Sequence, residues 1–399
     1  MRNKPLLVLF VTIFLDLVGF GIVIPILPLY ADELGASGFM IGLITASFAF
    51  MQFFFAPFWG NLSDRIGRRP VLLISIAVIG VSYLIFAQAN TLFILLLSRM
   101  LAGIGAANIS TANAFISDIT PPEKRSKNFG LVGAAFGLGF IFGPPLGGLL
   151  KDHFGIEAVG YVSAGLAAIN FLMAYLLLPE SLQEKNRENS LIPNPFAEFK
   201  HMLPRKAIMS FLVSNFIFLS AFSMMHITAS LLWQEKYNLS ESEIGYVFAF
   251  IGIAVAVVQG TLIGSFNKWF GEKKLFISGS FLMAVGLIAM PFVPVELFIP
   301  LELVALLIIA VGNGFFTPTV SSLISQQAGK KEQGKVLGLL QSVGSLSRVV
   351  GPILGGALYG IHLALPYIVA SGMMLGVVLL AYLIVQKFMK PASPEQVPI

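Results

Sequence analysis

The sequence predicts an all-α membrane protein of twelve transmembrane helices in two pseudo-symmetric halves of six. Three observations lead there. The 399 residues are 56% hydrophobic and only 11% charged, against about 25% charged in a typical soluble domain. Twelve apolar runs, each long enough to cross a bilayer of about 30 Å, fall at 6–30, 39–59, 70–89, 91–116, 128–150, 157–178, 207–232, 244–264, 274–293, 297–320, 336–358 and 363–387. With both termini placed in the cytoplasm, every one of the 25 Lys and Arg except Arg99, Lys151, Lys236 and Arg348 lies in a cytoplasmic segment, as the positive-inside bias requires.

The composition also narrows the function. A formal net charge of +5 matches basic cytoplasmic loops better than a nucleic-acid surface. Cysteine is absent, which removes disulfide and thiolate chemistry. No metal-ligand cluster is evident and no nucleophile has an identifiable base partner, so no metal, no cofactor and no enzyme activity are expected. The 36 Phe and 14 Met suit lipid contact or a permissive cavity. The N-terminal run continues to Tyr30 without a clear cleavage site, so it reads as a retained first span.

The longest polar segment, 179–206, divides the chain into an N-terminal bundle (1–178) and a C-terminal bundle with a short tail (207–399). Internal repetition supports the division. Gly143-Pro144-Pro145-Leu146-Gly147-Gly148 recurs 208 residues later as Gly351-Pro352-Ile353-Leu354-Gly355-Gly356, and Lys127 and Gly130 map to Lys335 and Gly338. Parallel repeats with a binding site between them are a plan of secondary transporters.

Between the second and third spans lies Gly60-Asn61-Leu62-Ser63-Asp64-Arg65-Ile66-Gly67-Arg68-Arg69-Pro70, read as a short cytoplasmic turn. An ordinary positive-inside loop accounts for Arg65, Arg68 and Arg69 but not for Gly60, Gly67 and Asp64. The stretch recurs faintly at an offset of 204, where Gly60 and Gly67 map to Gly264 and Gly271, Asp64 to Lys268 and Arg68 to Glu272. That pattern predicts a one-sided latch. Gly-x-x-x-Asp-Arg-x-Gly-Arg-Arg resembles the helix 2–3 signature of the major facilitator superfamily. The resemblance implies that fold, and a contact in the outward-open state between Asp118, at the end of span 4, and Arg65 or Arg68.

Intramembrane charges point to function, because a charge at bilayer depth costs several kcal/mol unless it is paired or faces water. Asp16 lies about 15 Å along the first span, and removal from water favours the protonated form of a carboxyl. The alternative is a structural hydrogen bond to a neighbouring helix. Arg99, in span 4, resembles the superfamily's helix 4 arginine, which implies a role in proton coupling with Asp16 as its acid. Gly139-x-x-x-Gly143-Pro144-x-x-Gly147-Gly148 in span 5 resembles the motif of the antiporter branch, although generic small-residue packing yields similar glycine density. Pro25 and Pro28 should kink span 1 near its outer end.

Substrate-binding candidates are Asn108, Asn113, His226, Gln259, Asn313, Gln341 and Arg348. Arg348 is also a candidate partner for Glu302, which otherwise snorkels at the outer end of span 10. The resemblance to tetracycline and multidrug antiporters implies a proton-coupled exporter of small amphipathic compounds in the cytoplasmic membrane, monomeric, working by alternating access. The intramembrane acids of tetracycline antiporters in helices 3 and 9 are missing here, which puts weight on Asp16. The alternative is a facilitator of a specific metabolite, with Arg348 binding an anionic group.

Overall fold

In the computed structural model the chain is helical throughout, with no strand among the described residues, which are 4–182, 204–328 and 332–388, without the side chains of 122–127, 130, 334 and 388. The expected linker lies largely outside them, as do Arg2, Lys185, Arg187, Lys200, Lys330, Lys331 and Lys390 and the side chains of Lys124, Arg125 and Lys127. The helices are α1 Lys4–Val23, α2 Ile26–Glu33, α3 Gly38–Ile66, α4 Arg68–Ala87, α5 Leu92–Gly105, α6 Ile109–Ile119 and α7 Pro122–Leu177. They continue as α8 Lys206–Tyr237, α9 Glu241–Val257, α10 Ile263–Phe270, α11 Glu272–Ala289, α12 Leu303–Gln326, α13 Gln333–Tyr359 and α14 Leu365–Phe388. Eleven helical stretches among the described residues are long and apolar enough to cross a membrane.

Local chemistry sets the boundaries. Ser37 and Thr91 each accept a hydrogen bond from the backbone N–H three residues on, Met40 and Ile94, so α3 and α5 begin with capped first turns. Ser240 and Glu243 form a reciprocal capping box at the start of α9. The first span breaks at Ile24–Pro25 into α1 and α2, where Pro25 removes a backbone donor.

Two boundaries differ from the sequence expectation. No loop separates the fifth and sixth spans: α7 runs through both and breaks only at Gly155, whose φ of 82° and ψ of 177° suit a residue without Cβ. Nor is Gly60–Pro70 a turn. Residues 60–66 complete α3, and the chain reverses at the single residue Gly67 (φ 118°, ψ 155°) before α4 begins at Arg68. The Ser63 hydroxyl donates to the Gly60 carbonyl, a local bond that leaves the helix intact.

The molecule has a basic end, around Gly67 and Gly271, and an acidic end, where Glu33, Asp152, Glu235 and Glu241 gather. At the acidic end α3 packs on α13 and α7 on α9, backbone against backbone. A Cβ added to Gly38 would lie 2.2 Å from the Gly356 carbonyl oxygen, one on Gly42 2.3 Å from that of Pro352, and one on Gly148 2.2 Å from that of Glu241. Asp152 accepts the Ser242 N–H at 2.9 Å, and Lys151 pairs with Glu33 at 2.9 Å.

Candidate functional site

Asp16 lies two-thirds along α1, half-buried. Two amides hold it. Asn170 of α7 donates to Oδ1 at 2.8 Å and Asn108 donates to Oδ2 at 3.3 Å. Asn108 also donates to the Ser75 hydroxyl at 2.7 Å, and Asn170 to the Thr12 carbonyl at 3.0 Å. Among the described residues no Lys, Arg or His nitrogen comes within 4.0 Å of this carboxyl. An amide pair of this kind tolerates either protonation state, whereas a fixed cation strands an unpaired charge each time the acid takes up a proton.

Arg99 is not that cation. It is 3% exposed, its Nε donates to Ser98 Oγ at 3.3 Å, and its guanidinium lies over the Phe86 ring at 4.8 Å. Its Nη2 is buried without a hydrogen-bond partner among the described residues. Arg99 and Asp16 form no ion pair among the described residues, and Tyr83 of α4 interacts electrostatically with both.

The glycine motif packs directly on the helix that carries Asp16. A Cβ on Gly139 would meet Leu17 Cβ at 2.7 Å, on Gly143 the Gly21 Cα at 2.6 Å, and on Gly147 the Ile22 carbonyl oxygen at 2.1 Å. On its other side Gly148 touches Glu241, and Gly245 of α9 touches the Pro144 carbonyl. The motif is a seam joining α1, α7 and α9. The repeat does the same: Gly351 and Gly355 pack on Ser220 and Met224 of α8, while Pro352 and Gly356 pack on Gly42 and Gly38 of α3.

At the basic end Arg68 is 8% exposed and binds three partners: Asp64 one turn earlier, Asp118 (Nε to Oδ2, 3.2 Å) and the Ser63 hydroxyl (Nη1, 2.6 Å). Arg69 donates to the Tyr175 carbonyl and lies over the Tyr175 ring. The Arg68–Asp118 contact is one of the two that the sequence leads us to expect for Asp118. The Glu180 carboxylate accepts the backbone N–H groups of Arg68 (2.9 Å) and Arg69 (3.3 Å), capping the electropositive start of α4. Gly60 makes only an ordinary contact with Ser110, at 3.6 Å for an added Cβ.

The remaining candidates separate into groups. Gln259 donates to Asn313 at 3.5 Å and Thr317 to the same amide oxygen at 3.3 Å. His226 is surrounded by the rings of Phe140, Phe222 and Phe248, with centroids 5.1–6.0 Å away. Gln341 and Arg348 lie on α13, both solvent-accessible, and Asn113 sits half-buried on α6, apart from both groups. Arg348 donates to Ser345 at 3.2 Å, not to Glu302. Glu302 does not snorkel: it is 0% exposed and accepts the Trp233 indole N–H at 2.7 Å. An apolar groove of about 530 Å³ on the outer flank, bounded by Pro70, Ile74, Val78, Leu101 and Phe171, lies away from all of these groups.

Sequence reasoning missed Asn170, Ser75, Tyr83, Glu180 and Trp233. Asn170 carried a signal, a single amide inside the apolar run Ala167-Ala168-Ile169-Asn170-Phe171-Leu172, which by the rule for intramembrane polar groups marks an interhelical contact. Glu180 and Trp233 carried none, because their partners are far away in sequence.

Long apolar helices running from end to end, with a carboxyl held by amides partway along one of them, make this a multi-pass membrane protein. The chain belongs to the Major Facilitator Superfamily, whose sequence profile matches residues 9–269 and 214–398. It is 32% identical over 369 residues to the class C tetracycline resistance protein of Escherichia coli (90% of each chain). It is 30% identical over 380 residues to the quinolone resistance protein NorA of Staphylococcus aureus (94% of this chain, 96% of NorA). Multidrug resistance protein 1 of Bacillus subtilis is 32% identical over 374 residues, 93% of each chain. The fold matches a mutant of the peptide transporter POT in complex with sulfate with a TM-score of 0.82 at 14% identity, covering 96% of this chain and 94% of that one.

Proposed function

We propose that the protein is a proton-coupled antiporter that exports small amphipathic compounds across the cytoplasmic membrane. The observation that carries this reading is Asp16, a mid-span carboxyl held by two neutral amides and no cation, on the helix against which the glycine seam slides. We read the two legs of α7 on either side of Gly155 as separate spans, which gives twelve in two bundles, with the basic end cytoplasmic. A proton entering down a potential of 100 mV supplies about 2.3 kcal/mol. Substrate and proton exchange at Asp16 while the bundles rock between states, and Arg68, Asp64, Asp118 and Glu180 hold α3, α4 and the start of the linker as one body. Similarity to the tetracycline, quinolone and multidrug resistance proteins supports amphipathic drugs as the substrate class.

The test is Asp16→Asn in everted membrane vesicles. Proton-driven efflux of ethidium should be abolished while ethidium counterflow without a gradient persists; undiminished proton-driven efflux would sink the assignment. A second reading rests on Arg348, a solvent-accessible cation midway along α13, which suits an anionic group on a specific metabolite. In that case Arg348→Gln would abolish transport that Asp16→Asn leaves intact.

A further inference from the structure

The Asp16 site is not the only buried acid in the bundle. Glu302 closes the irregular, widened turn Phe298–Glu302 that leads into α12; such turns occur often at functional sites. Its side chain is 0% exposed. Oε1 accepts the Trp233 N–H, and Oε2 is buried with no hydrogen-bond partner among the described residues. The groups facing it are Trp233, Lys236 and Tyr237 of α8 and Tyr367 of α14. Lys236 is the only cation among them; its ammonium donates to the carbonyls of Pro291 (2.9 Å) and Val293 (2.6 Å) and forms no ion pair with Glu302 among the described residues. Tyr237 likewise donates to the Val293 carbonyl at 3.0 Å. A fully buried carboxylate with one donor and no ion-pair partner is unfavourable at this depth, so the site suits a carboxyl that takes up a proton.

We propose that Glu302 is a second proton carrier of the transport cycle, loaded in this conformation and discharged when the acidic end opens. The route to discharge is a ring stack. Trp233 lies against Phe248 (centroids 5.2 Å), Phe248 against His226 (5.1 Å), and His226 against Phe140 of α7 (6.0 Å). Phe140 is carried by the seam helix, so parting α7 from α9 removes the last ring and frees Phe248 and Trp233 to move. Glu302 then meets water, and its proton passes to a water molecule as the carboxylate forms.

The inference rests on the proton-coupled reading above, and one set of measurements separates the two. In pH-difference infrared spectra of the full chain in lipid vesicles, a neutral-carboxyl C=O band should lose intensity as pH rises and be missing from Glu302→Gln. In transport, that variant should move about half as many protons per ethidium as the parent, a two-fold fall in the ratio. A Glu302 band that is indifferent to pH, or an unchanged proton ratio, overturns the proposal and leaves Glu302 a permanently neutral structural acid. Should Glu302→Gln fail to fold, Trp233→Phe removes the N–H donor along with the pyrrole half of the buried indole and should shift the pH midpoint of the band; an unmoved midpoint overturns the proposal equally. Failure of Asp16→Asn to affect flux, with the Glu302 band still responding to pH, strikes the Asp16 reading alone.

Discussion

The turns at Gly67 and Gly271 share a backbone but not a chemistry. Both glycines sit at positive φ with nearly the same ψ, 155° and 156°, and each joins two antiparallel helices at the basic end. From Gly67 a buried arginine reaches across to Asp118. The residue after Gly271 is Glu272, and it reaches across to Ser322 (2.7 Å) and Gln326 (2.8 Å). Ser322 stands 204 residues after Asp118, the offset that relates the two turns. The repeat has kept the bridge and replaced an Arg–Asp ion pair with hydrogen bonds from neutral donors to a carboxylate, so that the charged group is now the acid. The charge arrangement differs between the turns as the sequence implies: the first is tied by an Arg–Asp ion pair, and the second by hydrogen bonds to a carboxylate. The first also has a third tether, Glu180, with no counterpart among the described residues beside Gly271, where an added Cβ would meet nothing within 4 Å.

That contrast can be broken most forcefully at the glycines themselves. An alanine at either position is strained by about 1–3 kcal/mol, but Gly67→Ala also drives its Cβ to 2.3 Å from Glu180 Oε2. Its thermal unfolding midpoint should fall further than that of Gly271→Ala, and equal losses would mean that the Glu180 contact contributes nothing. Next in size is the bridge. Arg68→Ala leaves Asp64 and Asp118 without their guanidinium and should destabilise by about 2–3 kcal/mol. Glu272→Gln keeps a hydrogen-bonding side chain and should lose less than about 1 kcal/mol. Thermal melts at low and high salt sharpen the distinction, since an ion pair weakens more with ionic strength than hydrogen bonds from neutral donors to a carboxylate; an equal salt response on the two sides would contradict it. The smallest effect belongs to Glu180→Gln, about 0.3 kcal/mol from a weakened helix-start interaction, read as faster hydrogen exchange at the Arg68 and Arg69 amides.

Much of this was legible in the sequence. Hydropathy locates the helices because each run must bury or expose a whole face to lipid, and the glycine motifs announce backbone contact wherever they fall. Asp16 stood out because a carboxylate has no ordinary place in such a run. The parts that were not legible are relational. Nothing in Arg99's neighbours says that it meets the Phe86 ring of α4 and not Asp16 of α1, since that depends on how the helices stack. Glu302 read as a boundary residue because the indole that receives it is on α8, 69 positions away. The Gly60–Pro70 stretch read as a loop because it is polar, yet every residue in it except Gly67 is helical: a helix leaving the membrane becomes polar without unwinding.

The glycine seams leave a mechanical signature. Where the glycines of α7 meet α9 and those of α13 meet α3, carbonyl oxygens face bare Cα atoms, and little side-chain bulk lies between the backbones at those points. Such surfaces, held there by dispersion and weak Cα–H···O contacts, can shift past one another with few rotamer changes once polar ties such as Asp152–Ser242 let go. The same smoothness leaves no tolerance for bulk. One methyl group on Gly356, 2.1 Å from the Gly38 carbonyl oxygen, is a wedge under a door, and it would hold the acidic end ajar for as long as the protein exists.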